Sequence, residues 1–453
     1  MRILRWLDQW HWVWVALAAP FLIFPTVARS FAMLIIPGVW MIGILARREP
    51  LRRTPLNPAL LLLAVMVLVS LYATYDLAQS FLRLTTMVLE FGVYFAIVRS
   101  STTNKGWWIA LGLFLAAGVG VATLGLFSAT TASKFQFLTF LIAPVPLIRT
   151  SLLGSDQSVN PNLVAGTLLW ILPILCVLSL RVTRRFQVIR HAIGNIPGLV
   201  MLIIVWVITV FVGLVFILMQ SRSGYLGLGI LGTVLFVWLT MRRRIALGVF
   251  LLTLSVVGLG VFAFLVMGQG YASITWDSGS SVQTLEQRIE IWSRALYGIQ
   301  DFPFTGMGMD TFRRVVHVLY PLFTVGPEIE TIHAHNEYFQ AALDLGIPGL
   351  IAFISLYLGS FTMLGICWRA SLHDNPNLVH PILDNLDRAI ILGLGGGLFA
   401  HMIYGLTDAT IFIARYDIVF WILLGLIAGL YEQAQSRERY ARMLAPLPPE
   451  TLE

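Results

Sequence analysis

The sequence predicts an all-α polytopic membrane protein, and two features of its composition carry this prediction. Of the 453 residues, 58% are hydrophobic and only 12% are charged, whereas an ordinary soluble domain contains about 25% charged residues. The apolar residues also occur in long blocks, and a block of about 20 apolar residues suffices for a helix to cross the bilayer core. These observations exclude a large soluble domain and a disordered chain.

About twelve apolar segments are predicted to span the membrane. In chain order they cover residues 11–28, 30–46, 57–74, 78–98, 107–127, 162–180, 197–219, 224–240, 245–267, 347–368, 389–408 and 417–431. A further apolar block, 135–148, is short and contains Pro144 and Pro146. We therefore expect a re-entrant or interfacial segment there rather than a span.

The distribution of basic residues predicts the orientation of these spans. With the N-terminus inside, roughly two-thirds of the 30 arginines and lysines fall at the inner ends of the predicted spans. The positive-inside rule then predicts that both termini are cytoplasmic. The net charge of +7 is explained by this topology, so no nucleic-acid partner is expected. The two cysteines lie in apolar segments and are interpreted as free thiols.

Four regions follow from the spans and their orientation. Residues 1–267 are predicted to hold helices 1 to 9 with short loops, and residues 347–432 to hold helices 10 to 12. Between them, 268–346 is predicted to form one long loop on the outer face of the membrane that contains short helices. Residues 433–453 are predicted to form a cytoplasmic tail, disordered from 445 onwards.

The long loop contains a predicted amphipathic helix at 287–296. Arg288 and Trp292 are four residues apart and therefore share one helix face. An arginine at a membrane surface can bind a phosphate while a neighbouring indole rests in the interface. The alternative interpretation is an ordinary surface ion pair between Glu290 and Arg294, with Trp292 as a simple membrane anchor.

The same loop contains His333 and His335, the latter followed by Asn336. A histidine suits general-base chemistry because its pKa lies near neutral pH. The alternative is a structural histidine at the membrane interface. A metal site is not expected, because residues two apart do not share a helix face and no third histidine or cysteine lies nearby in the sequence.

An arginine in a tight hairpin is the next candidate. Arg222 lies in the hairpin Gln220–Gly224, which joins two predicted spans at their outer ends. An arginine at this depth is costly unless it is paired or hydrated. Its side chain is expected either to bind a diphosphate or to extend to a lipid phosphate.

Three further polar residues lie within or beside the predicted spans. Arg83 shares a helix face with Glu90, but the two are about 10 Å apart along the axis, so each is expected to have another partner. Asn162 opens the sixth span in the segment Asn160-Pro161-Asn162, which also fits a helix cap. Asp408, at the outer end of the eleventh span, is a weaker candidate.

Four motifs together make the chain resemble the O-antigen ligase and O-antigen polymerase superfamily. They are Asn160-Pro161-Asn162, Ser221-Arg222-Ser223-Gly224, Arg288 to Trp292 leading to Pro303 and Gly306, and His333-Ala334-His335-Asn336. The ligase pattern of this superfamily is His, then Asn, Ser or Gln, nine residues, Gly, two residues and a small residue. It is met by His335, Asn336, Gly346 and Gly349.

The resemblance implies a GT-C-like fold and a metal-independent, inverting glycosyltransferase that needs no cofactor. Its donor would be a glycan on undecaprenyl diphosphate at the outer face of the cytoplasmic (inner) membrane, and its acceptor a lipid or another glycan. By this resemblance Arg222 and Arg288 hold the diphosphate and stabilise its leaving charge, and His335 takes the proton of the acceptor hydroxyl. The weaker substrate-binding candidates are Asn336, His333, Arg83, Trp292 and Asn162. Membrane lipids are the remaining partners.

Two other functions stay open. A polymerase would use the same chemistry to join undecaprenyl-linked repeat units, whereas the glycine-spaced histidine pattern favours a ligase that acts on lipid A–core. A transporter would have repeated halves and helices broken at mid-membrane, and the sequence shows no convincing repeat. A purely structural scaffold ranks third, because it gives no role to the arginines and His335.

Overall fold

The computed structural model describes residues 1–128, 159–254, 285–325, 333–371, 387–412 and 417–444. It is 81% helix, and no β-strand occurs in these described ranges. The predicted re-entrant segment 135–148 and the predicted disordered end from 445 lie outside the described residues, as do parts of the ninth span and of the long loop.

The helices follow one another with short connections wherever the chain is described. In order they are α1 Arg2–Gln9, α2 His11–Ile23, a 3-10 helix Arg29–Leu34, α3 Ile35–Leu45, α4 Asn57–Ala73, α5 Leu77–Ser100, α6 Asn104–Ser128, α7 Pro161–Arg184, α8 Phe186–Ile193, α9 Asn195–Leu218, α10 Arg222–Met241, α11 Ile245–Leu254, α12 Leu285–Asp301, α13 Phe312–Leu319, α14 Glu337–Ala370, α15 Arg388–Tyr404 and α16 Ile418–Leu444. Seven of them are long and apolar enough to cross a membrane, and shorter apolar helices accompany them. The protein is therefore a polytopic α-helical membrane protein.

Three predicted spans differ from the observed helices at one end. Helix α2 stops at Ile23, five residues before the predicted end of the first span, because Phe24 precedes Pro25 and a residue before proline is disfavoured in the helical region. The second span opens as a 3-10 helix. Helix α16 continues to Leu444, so the predicted tail 433–453 begins inside a helix.

Polar caps fix the starts of three helices that later prove important. Asn160 caps α7 by accepting a hydrogen bond from the backbone N–H of Asn162 (2.9 Å). Ser221 caps α10 through Gly224 N–H (3.2 Å). Asn336 caps α14, where its side-chain oxygen accepts from two backbone N–H groups at 3.0 Å each. Asparagine and serine are preferred at this position because their oxygen satisfies a donor that has no partner within the helix.

Helix α7 is the central helix of the bundle. Its most apolar stretch is 78% buried, compared with 22% for α9, so much of the surface of α9 is left for lipid. On one side α7 packs closely against α15, where the Trp170 indole stacks on the His401 ring at 4.1 Å between centroids. The packing of these two helices decides which residues meet at their ends.

The described part of the long loop forms a small apolar core on the end of the bundle. Helices α12 and α13 contribute Ile291, Phe312 and Val316, which pack with Leu343 of α14. The amphipathic helix predicted at 287–296 is longer than expected, and Leu296, expected on its apolar face, is 45% exposed. Ile291, in contrast, is fully buried.

Two glycines allow the loop to pack directly against α14. Gly306 and Gly346 have φ values of +69° and +71°, and the break at Gly346 divides α14 into a short first part and a long second part. The loop and the helix exchange backbone hydrogen bonds there, from Met307 N–H to Leu343 and from Ile347 N–H to Pro303. A Cβ on either glycine would lie within 2.7 Å of the opposing backbone, so the close approach requires glycine.

Candidate active site

Asp408 lies just beyond the end of α15, at the centre of a buried polar cluster. One carboxylate oxygen accepts a hydrogen bond from Asn162 Nδ2 (2.8 Å) and lies 3.9 Å from Arg288 Nη2. The other lies 3.5 Å from His335 Nδ1 and 3.9 Å from His333 Nε2. All five side chains are at most 4% exposed. Four of them are residues that the sequence motifs selected.

The segment that carries Asp408 is held by the other predicted motifs. Asn336 Nδ2 donates to the Leu406 carbonyl (2.9 Å), and Arg288 Nη1 donates to the Thr407 carbonyl. The Thr407 hydroxyl bonds the Ser223 hydroxyl at 2.9 Å. The starts of α7, α10 and α14 therefore meet at this segment, and Arg222, the first residue of α10, lies beside it. Helix N-termini carry partial positive charge, which favours an anionic ligand at this end of the bundle.

His335 has an unusual backbone conformation that its neighbours stabilise. Its φ is +48°, in the left-handed region that non-glycine residues seldom occupy. The Trp292 indole donates to its carbonyl (3.3 Å), and its own N–H donates to His333 Nδ1 (3.0 Å). Trp292 thus positions His335, a contact that the interpretation of Trp292 as a membrane anchor did not include. Strain of this kind persists where surrounding contacts fix it and is frequent at functional sites.

Burial and charge set the protonation of the cluster. Burial lowers the pKa of the His335 imidazole below 6.5 and the Arg288 cation lowers it further, while Asp408 opposes both. The pKa of His333 is lowered further than that of His335. Burial is the main cause, and the neighbouring His335 ring adds to it. Burial alone would raise the pKa of Asp408, but the hydrogen-bonding contact with His335 and the Arg288 charge hold that pKa below its ordinary value. At neutral pH both imidazoles are therefore neutral and Asp408 is ionised.

A hydrogen bond at His333 and a charge contact at His335 favour different tautomers for the two histidines. His333 Nδ1 accepts the backbone N–H of His335, so the proton of a neutral His333 lies on Nε2. His335 Nδ1 makes no hydrogen bond but lies 3.5 Å from a carboxylate oxygen of Asp408, whose negative charge favours a proton on Nδ1. The Nε2 lone pair of His335 then has no hydrogen-bond partner within the described part of the chain and is able to accept a proton.

The cluster also contains three groups of the kind that bind metals. Ligand atoms of His333, His335 and Asp408 all lie within 4.8 Å of one another. The sequence offered no third histidine or cysteine, and in the fold the third group is a carboxylate from a distant helix end. The guanidinium of Arg288, 3.9 Å from the same carboxylate, repels a divalent cation at this position.

Arg83 belongs to a different cluster. It donates to Asp417 (2.6 Å) and lies 3.7 Å from Glu90 Oε1. The expected further partner of Arg83 is Asp417, and the extended arginine side chain also covers the separation from Glu90 along the helix. The contacts of Arg83 are with these two carboxylates rather than with the His335 cluster. Glu290 and Arg294 do form the predicted surface ion pair, at 3.5 Å.

Sequence reasoning ranked Asp408 too low and missed Thr407 and Ser223. The available signal for Asp408 was an acidic residue at the outer end of a span, where an unpaired charge is costly. Its partners come from three separate parts of the chain, and no local pattern connects them. Ser223 belongs to the motif Ser221-Arg222-Ser223-Gly224 but was given no role of its own, and Thr407 has no sequence signal beyond its closeness to Asp408.

Comparison with known proteins bears on the same residues. No curated protein matches the chain. Residues 207–354, about a third of the chain, match the family described as O-antigen ligase. The matched region contains Arg222, Arg288, Trp292, His335 and Asn336. This region of the chain, with the candidate site residues that it contains, is therefore similar to the O-antigen ligase family.

Proposed function

We propose that the protein is an O-antigen ligase-like glycosyltransferase that moves a glycan from undecaprenyl diphosphate to an acceptor of the lipid A–core type. The observation that carries this proposal is the buried contact between His335 and Asp408, which presents a neutral imidazole for proton abstraction. The family match supports a ligase- or polymerase-type function in general.

In the proposed reaction His335 acts as the general base. Its Nε2 accepts the proton of the acceptor hydroxyl while that oxygen forms a bond to the anomeric carbon of the donor sugar. The bond between the anomeric carbon and the diphosphate oxygen breaks at the same time, and undecaprenyl diphosphate leaves with the electron pair. Because attack and departure occur on opposite faces of the carbon, the configuration inverts.

The arginines are assigned to the leaving group. Arg288 and Arg222 bind the diphosphate and stabilise the charge that develops on it, and the N-terminus of α10 adds a partial positive charge. Asp408 and Asn162 are positioning residues, since they orient His335 and are not placed on the substrate. Arg83 has a structural role in this proposal, because its partners are Asp417 and Glu90.

The proposal includes a topology. Residues 268–346 form a loop on the periplasmic side, both termini are cytoplasmic, and twelve GT-C-like spans place the His335 cluster at the outer face of the cytoplasmic membrane. The donor already carries an activated diphosphate, so the reaction needs neither ATP nor a metal ion.

A reconstituted transfer assay tests the function. Purified protein in vesicles with undecaprenyl-diphosphate glycan and lipid A–core should transfer the glycan in the presence of EDTA. Replacing the base, His335→Ala, should reduce the rate by about 10²–10⁴-fold, whereas the exposed His191→Ala should leave it unchanged. Full activity of His335→Ala, or loss of activity in EDTA, would contradict the mechanism. Lengthened undecaprenyl-linked glycan without lipid A–core would show a polymerase instead.

A further inference from the structure

A cavity of about 670 Å³ lies between α7, α10 and α15. It is at the end of the bundle opposite the His335 cluster. Along α7, at a rise of about 1.5 Å per residue, the rim residue Arg181 lies about 28 Å from Asn162 of that cluster, and the nearest lining residue of this helix, Leu172, lies about 15 Å from it. The cavity is therefore separate from the proposed active site.

The walls of this cavity are apolar and open towards the lipid-facing surface. Leu172, Leu231 and Leu235 are among the residues that line it. Two further lining residues, Leu180 and Leu239, are 49% and 55% exposed, so the cavity reaches the outside of the bundle. Its volume lies within the range of about 300–1,000 Å³ that is typical of small-molecule sites.

The rim of the cavity is positively charged. Arg181, Arg184 and Arg185 line it, and Asp387 is the one acidic residue among its described lining residues. Arg181 Nε and Arg185 Nη2 lie 3.2 Å and 3.1 Å from the same Asp387 oxygen. Among the described lining residues, three arginines therefore stand against one carboxylate. Arg184 is exposed to solvent.

Trp238 indicates that the rim of the cavity lies at the level of the lipid headgroups. Trp238 lines the cavity, and the guanidinium of Arg242 lies 4.7 Å from the centre of its ring. Tryptophan is enriched at the level of the lipid headgroups. The site thus combines an apolar interior with a cationic rim at headgroup level. The positive-inside rule accounts for basic residues at this end but not for a cavity beneath them.

We propose that this cavity binds an acidic glycerophospholipid. One acyl chain lies between α7, α10 and α15, and the phosphate is bound by Arg184 and Arg185. Basic pockets between membrane helices on the cytoplasmic side bind acidic lipid headgroups in general. A lipid bound here would hold α7 against α10 and α15, the helices whose other ends carry Asn162, Arg222 and Asp408.

The charge requirement is tested by lipid retention in native mass spectrometry of the purified full chain. Phosphatidylglycerol should be retained, while phosphatidylcholine should not. Arg184→Gln should weaken the retention of phosphatidylglycerol about fivefold, as expected for the loss of one basic residue near the headgroup. The matched control is Arg243→Gln, an exposed arginine at the same end of the bundle that does not line the cavity.

The cavity itself is tested by filling it. A Cβ added at Gly232, which lines the cavity, meets no atom within 4 Å, so Gly232→Phe should fold and occupy the space of the acyl chain. Gly229→Phe is the matched control, because a Cβ there also meets no atom within 4 Å and Gly229 does not line the cavity. Gly232→Phe should lose bound phosphatidylglycerol by tenfold or more, and Gly229→Phe should keep it.

The proposal requires a loss of retention in both Arg184→Gln and Gly232→Phe. It is overturned if either variant retains phosphatidylglycerol as its control does. Equal retention of phosphatidylcholine would also overturn it, as would displacement of the lipid by inorganic phosphate alone, which would indicate a site for free phosphate.

Discussion

At the residue scale, Arg288 and Asp408 shift the pKa of the His335 imidazole in opposite directions. Burial lowers its pKa below 6.5, the Arg288 cation lowers that pKa further, and the Asp408 carboxylate raises it. A general base must be neutral, so the proposed reaction slows as the pH falls through this pKa. For the wild-type protein we expect kcat/KM to be flat near neutral pH and to fall only below about pH 6.5.

Removing the carboxylate should change both the rate and the pH profile. In Asp408→Asn the imidazole loses its orienting partner and the negative charge that raised its pKa. We expect kcat/KM to fall by about 10²-fold or more and the acidic limb of the profile to move to lower pH. Measuring kcat/KM against pH checks both effects. A large fall in rate without movement of the acidic limb would indicate that Asp408 has only a structural role.

Removing the Arg288 cation should move the acidic limb of the plot of kcat/KM against pH to higher pH. In Arg288→Gln the Asp408 charge is no longer opposed, so the pKa of His335 rises and the acidic limb moves to higher pH. The rate also falls, because the proposed contact with the diphosphate is lost. Arg313→Gln, in the same loop, is the control, since Arg313 pairs with Asp310. An unmoved limb in Arg288→Gln would exclude a charge effect of Arg288 on His335.

The candidate residues were predictable from sequence to different degrees. His335, Arg288 and Asn336 belong to motifs whose spacing is visible along the chain. Asp408 became central only in the fold, because its neighbours are determined by the packing of α15 against α7. A further partner of Arg83 was expected, but its identity was not visible in the sequence for the same reason, since Asp417 precedes a helix that packs on α5.

At the element scale, the break in α14 is the feature that joins the loop to the bundle. Helices were predictable because apolar block length and polar caps are local properties of the chain. The spacing of Gly346 and Gly349 was recognised as a pattern, but the cause is tertiary for Gly346 and local to α14 for Gly349. Gly346 approaches the backbone of residues 304–306, and a Cβ on Gly349 would lie 2.2 Å from Leu345 Cβ.

Substituting the glycine at the break should destabilise the protein. Gly346→Ala places a side chain at φ +71° and 2.7 Å from the backbone of Phe304. The cost of the backbone conformation alone is about 1–3 kcal/mol, so the thermal midpoint in detergent should fall, and transfer activity with it. Gly365→Ala is the control, because a Cβ at Gly365 meets no atom within 4 Å and alanine favours the helix by up to about 1 kcal/mol. Equal midpoints of the two variants would show that the break tolerates a side chain.

At the scale of the whole molecule, the two ends of the bundle carry different chemistry. One end gathers two histidines, Asp408 and three helix starts in a buried cluster, and the other gathers arginines around an apolar cavity. Helix α7 connects the two ends over about 28 Å, close to the thickness of the bilayer core of about 30 Å. This separation agrees with an active site at one membrane surface and a lipid site at the other.

The predicted topology assigns these two ends to opposite sides of the membrane, and cysteine labelling tests this assignment. In a Cys176→Ala, Cys367→Ala background we introduce either Val318→Cys, 79% exposed in the loop that carries Arg288, or Thr102→Cys, exposed between α5 and α6. Val318→Cys should react with a membrane-impermeant maleimide in intact spheroplasts. Thr102→Cys should react only after permeabilisation, because the excess of basic residues places it inside. The reverse pattern would place His335 in the cytoplasm, where the proposed lipid-linked donor is not presented.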